Sequence, residues 1–100
     1  MASLGNILAY ASQALQVVEG LVPEIKLLAD VAGLNQPKVG TIVATTQQLL
    51  SAATDLISNI EDLVADGTII ASATTEAEIN MVKLRLASQN DVLRQLVDAS

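Results

Sequence analysis

Apolar residues in the middle of the chain return in steps of three and four. Val39, Ile42, Thr46, Leu49, Ala53, Leu56, Ile60 and Leu63 take the a and d positions of successive heptads. Val43, Leu50, Ile57 and Val64 add an apolar e position to each. Three apolar positions in seven make a stripe wide enough to face a bundle core rather than a single partner helix. Strict alternation fails at Leu49-Leu50 and Leu56-Ile57, which argues against a strand. The pattern predicts a helix over 38–66, about 43 Å long at the α-helical rise.

The N-terminal third carries the same signature. Leu4, Ile7, Ala11, Ala14, Val18 and Leu21 form the a/d seam, with Leu8, Leu15 and Val22 at e, and Ser3 suits the N-cap. Pro23 cannot donate to the carbonyl of Glu19, and its ring crowds that turn. Ile25, Leu28 and Ala32 nevertheless stay in phase across it. The expectation is one helix over 4–32, kinked at Pro23; the alternative is a second helix with Pro23 as its first residue. Gly33 suits the position after a helix end, where a positive φ is needed. The connection GLNQP is short enough to make the two helices antiparallel neighbours.

Asp66-Gly67 repeats that ending. Thr75 and Glu78 have the spacing of a capping box, which predicts a last helix over 76–98. Its seam is Ile79, Val82, Leu86, Gln89, Leu93 and Leu96, with Gln89 as a polar exception that can fix register beside Asn90. The predicted fold is all-α: a single helical domain over 1–100, an up-down-up bundle of three long helices. It either closes on itself or stays open as a hairpin plus arm, with other copies completing the core.

Composition narrows the function. Apolar residues make up 51% of the chain, yet Tyr10 is the sole aromatic, so the core is aliphatic and the usual platforms for base stacking are missing. The net charge is −6, and the five basic residues (Lys26, Lys38, Lys83, Arg85 and Arg94) form no patch. Nucleic acid and anionic lipid are therefore poor partners. Residues 1–18 are uncharged but interrupted by Ser, Asn and Gln, short of the ~20 predominantly apolar residues of a membrane span. No basic stretch precedes them, so neither a secretory signal nor a transmembrane segment is expected. Attachment of 1–18 to a membrane surface is the remaining lipid alternative.

Candidate chemistry is sparse. With no His and no Cys, the commonest general base and the strongest nucleophile are missing, and no glycine-rich phosphate loop occurs. No enzyme, no catalytic residue and no cofactor is expected. Asp62 and Asp66 lie one turn apart and could share a hard cation, but no EF-hand spacing surrounds them, so no metal is expected either. Lys83 and Arg85 read as surface ion pairs with Glu78.

Contact surfaces are the better candidates. The back of the central helix, including Gln47 and Ser51, is small, polar and uncharged, where an exposed helix ordinarily carries Lys/Glu pairs. Its charges oppose the helix dipole: Lys38 at the start, Glu61, Asp62 and Asp66 at the end. Core packing can override this mismatch; alternatively, a basic partner meets the acidic end. Ile69 and Ile70 lie in a connection, either folding over the bundle end or inserting into a partner. Met81 and Leu84, with Ala77, fall off the last helix's seam, as a widened core face or as a subunit contact.

Residues 66–98 resemble the ends of small helical accessory proteins of tailed bacteriophages. The matching pieces are Gly67, Thr75, Glu78 and the Leu86–Leu96 seam, in about a third of the chain. The resemblance implies a virion or tail component, found in the virion or the host cytoplasm, with no catalytic residues to carry over. Secreted helical hairpins with Trp-x-Gly in the turn are similar in length, but GLNQPKVG lacks the Trp. The leading expectation is a structural subunit whose partners are other protein subunits, as a homo-oligomer or among virion proteins. The alternative is a monomeric regulatory module, an inhibitor or adaptor, that uses the acidic end of the central helix.

Overall fold

The computed structural model describes residues 4–33 and 35–98. Three helices account for most of them: α1 (Leu4–Ala32), α2 (Pro37–Ala65) and α3 (Ala73–Asp98). Each packs against the other two, so the bundle closes on itself and the hairpin-plus-arm alternative is set aside. The expected cap at Ser3 lies outside the described residues.

Pro23 does not interrupt α1. Its ring is exposed while Val22 and Ile25 are buried, so the core holds the helix on both sides of the proline. Gly33 follows with φ of 85°, its N–H donating to the Ala29 carbonyl at 2.9 Å. Gln36 then stands at the α2 N-cap with Pro37 in the first turn, where a missing N–H costs no helical bond.

The end of α2 is built as a Schellman-like turn. Gly67 has φ of 82°, and its N–H donates to the Val64 carbonyl at 3.2 Å. Asp66 Oδ1 accepts the Thr68 N–H at 2.9 Å, so the long closing bond passes to Ile69, which donates to the Leu63 carbonyl at 3.1 Å. The next helix starts earlier than the Thr75–Glu78 spacing predicts. Ser72 is the cap: its Oγ accepts the Thr75 N–H at 3.1 Å, and its carbonyl accepts the Glu76 N–H at 2.9 Å. Ser72-x-x-Thr75 offers the same cap geometry one turn upstream, and the Ser72 hydroxyl also donates to Thr75 Oγ1 at 3.0 Å.

The core selects among the apolar heptad positions. In α2 the buried residues are Val39, Val43, Thr46, Leu50, Ala53, Ile57 and Ile60, which are the a and e positions. The d residues Ile42, Leu49 and Leu56 are half-buried, and Leu63 is exposed. α1 divides the same way, with Leu8, Ala11, Leu15, Val18, Val22 and Ile25 buried and Ile7, Ala14 and Leu21 half-buried. Three apolar positions can be split into seam and flank in two ways, and the placement of α3 decides which pair faces inward. Along α3, Ile79, Val82, Leu86 and Leu93 are buried and Gln89 is half-buried.

The resulting body is a rod of 48 × 23 × 18 Å. Its radius of gyration is 15.5 Å, against about 13 Å for a compact domain of this length.

Candidate interaction surface

Ion pairs tie α3 to the hairpin. Lys83 Nζ meets Glu61 of α2 at 3.1 Å, and Arg85 pairs with Glu19 of α1 through two guanidinium nitrogens. Both lysine and arginine thus leave Glu78, the expected partner, and bridge helices instead. Each charge remains partly solvated, so the pairs fix the placement of α3 more than they add stability.

The residues singled out from sequence are spread around the rod. Met81 lines a groove between α1 and α3 with Gly5, Ala9 and Arg85, and is 55% exposed. Leu84 is 71% exposed and is not among that groove's lining residues. Gln47 and Ser51 are exposed on α2; Thr54 and Ser58, on the same helical face, line the groove against α3 with Lys83 and Asn90. Of the two loop isoleucines, Ile69 is half-buried and Ile70 is almost wholly exposed, so the pair does not act together as a plug.

The acidic end is partly committed to the fold. Glu61 holds Lys83, and Asp66 holds the turn after α2. Hydrogen bonds from the Thr68 hydroxyl and N–H keep the Asp66 carboxyl below the usual carboxylate range. Asp62 is exposed. Glu76 shares a shallow groove with Glu61, Val64 and Ile79, which adds to the negative charge at this end. Among the described residues, no three His, Cys, Asp or Glu side chains lie close enough to hold a metal ion. No helix among them is long and apolar enough to cross a membrane.

A surface not singled out from sequence runs along the outer side of the α1–α2 hairpin, away from α3. The half-buried d residues of both helices lie there, and Ile7, Tyr10 and Leu56 line one depression across the helix pair. Tyr10 and Val17, seven residues apart on α1, are 69% and 51% exposed. Leu63 of α2 is 37% exposed. Thr45, beside this strip, donates its hydroxyl to the Thr41 carbonyl at 2.9 Å, so its polar group is satisfied within its own helix. The signal was available in the heptads: Tyr10 and Val17 make the g position apolar in two heptads of α1, ahead of Glu24, and four apolar positions in seven exceed what a three-helix core can cover.

A comparison of the chain with family models, curated proteins and solved structures finds no match.

Proposed function

We propose that the protein is a non-enzymatic packing subunit, present in several copies within a larger protein assembly. The observation that carries this reading is the uncharged apolar flank of the α1–α2 hairpin. Among the described residues, both interhelical ion pairs join α3 to the hairpin, and none crosses the outer flank. A surface of that kind gains by leaving water, at about 25 cal/mol per Å² of apolar area. Apart from the Tyr10 phenol, it offers a substrate no acid, base or nucleophile. A phage particle is the proposed setting, supported by Gly67 and the Leu86–Leu96 seam; Thr75 no longer contributes, since Ser72 starts α3.

The competing reading, a regulator acting through its acidic end, makes a different prediction. The combined variant Glu61→Gln, Asp62→Asn, Asp66→Asn removes the charge and keeps hydrogen-bonding groups in place. A packing subunit sediments as the same multimer with or without these substitutions, at low and high salt. A multimer that dissociates in the variant, or that dissolves in salt, refutes packing through the neutral flank.

A further inference from the structure

The occupant of the outer α1–α2 flank can be read from its charge and its size. By helical spacing, the strip comprises Ile7, Tyr10, Ala14, Val17 and Leu21 on α1 and Ile42, Leu49, Leu56 and Leu63 on α2, with Thr45 and Ala52 along its edge. None of these is ionisable except the tyrosine. Charge stands only at one end of the strip, where Glu24 lies seven residues beyond Val17 on α1 and Lys38 seven before Thr45 on α2. Of the other acids, Glu19 is turned toward α3 by Arg85, and Asp55 and Asp62 face outward from α2, off the strip by the same spacing.

We propose that this flank seats the same flank of a second copy, giving a closed two-fold dimer with four helices at its centre. The inference deepens the packing-subunit reading and rests on it. Away from the Glu24 and Lys38 end, a basic partner would find no anion on the strip, and an acidic one no cation. Two copies of a chain of net charge −6 repel one another over most of their surface. They can approach where both are neutral, and a two-fold contact presents the same neutral strip from each side. The relief suits such a contact, because Tyr10, Leu49 and Leu56 alternate with Ala14, Ala52 and the depression beside Ile7.

Area points the same way. The chain exposes 6424 Å², where a compact monomer of its mass exposes about 5,400 Å². The excess, on the order of 1,000 Å², follows from the elongated shape, whose long flanks leave room for the roughly 800 Å² that each partner contributes to a standard interface.

The test is sedimentation equilibrium of the full chain and three single variants: Tyr10→Lys, Val17→Lys and, on α3, Leu84→Lys. All three positions are more than half exposed, so folding is retained and circular dichroism checks it for each. Each lysine lowers the net negative charge, so long-range repulsion cannot explain a loss of association. The wild type is expected to be a dimer. Tyr10→Lys and Val17→Lys should each raise the dissociation constant at least about 100-fold, the scale of an unpaired charge enclosed in a contact, while Leu84→Lys leaves it unchanged. Dissociation by Leu84→Lys alone overturns the assigned flank but leaves the packing-subunit reading standing. Mass that grows without a plateau overturns the closed two-fold geometry. A wild type that stays monomeric, including one that co-sediments with neutral lipid vesicles through Val17, overturns the second copy as occupant and self-packing with it.

Discussion

Thr46 is the one polar side chain among the buried described residues, and its replacement separates packing from hydrogen bonding in the core. The side chain is fully enclosed, and its hydroxyl donates to the Ile42 carbonyl at 2.8 Å. That carbonyl also accepts a backbone N–H within α2, so removing the hydroxyl does not leave it orphaned. Thr46→Val therefore loses a net hydrogen-bond contribution of about 1 kcal/mol. It gains burial of an added methyl, worth about 0.8 kcal/mol. The two nearly cancel, and the valine variant should fall within about 1 kcal/mol of wild type. Thr46→Ser keeps the hydroxyl and loses the methyl, leaving a small void, and should cost about 1 kcal/mol or more. For a domain of this size, each kcal/mol shifts the melting temperature by about 4–8 °C. The assay is thermal and urea unfolding of all three proteins at one concentration, because association raises apparent stability. A valine variant destabilised by more than about 2 kcal/mol, or a serine variant as stable as wild type, refutes the claim that the methyl rather than the hydroxyl holds this site.

Three further outcomes follow from the fold. Ser72→Ala should destabilise by about 1 kcal/mol in urea unfolding, and Thr75→Ala by clearly less, since Ser72 caps α3; the reverse order would restore Thr75 as the cap. Arg85→Met, which keeps the aliphatic stem, should cost no more than about 1 kcal/mol because the Glu19 pair is partly solvated; a larger loss would mean that the pair positions α3 more strongly than its exposure implies. Asp66 should titrate, by NMR, below its ordinary value of 3.8. Its folded pKa is depressed, so its contribution is complete above the unfolded pKa and fades as pH falls through the folded one. Thr68→Ala should return the midpoint part of the way, since the hydroxyl is lost and the N–H bond stays, and a midpoint left unchanged would assign the shift to another cause.

The helices and their order were legible because each carries its own period and its own stop. Gly33 and Gly67 both adopt the positive φ that their positions after a helix demanded, and the in-phase seam across Pro23 correctly signalled one continuous α1. The start of α3 was misread because two cap spacings overlap; Thr75-x-x-Glu78 is the stronger signature in sequence, yet Ser72 makes the bond. The partners of Lys83 and Arg85 were hidden for a different reason. Glu61 and Glu19 are brought to them only by the packing of α3, and no local spacing reports that. The interaction surface divides likewise. The neutral back of α2 was visible, but Gln47 and Ser51 lie toward α3, whereas Tyr10 and Val17 mark the uncovered side of the hairpin. Choosing between a/d and a/e as the seam requires knowing where the third helix lies.

The central claim is that the uncharged flank draws copies of the chain together. The most direct measurement is the solution mass of the wild-type chain by static light scattering over a wide range of concentrations, at low and high salt. The account predicts twice the 10.4 kDa chain mass, reached as a plateau and maintained in salt, because the contact is apolar. A mass of one chain at every concentration would contradict it.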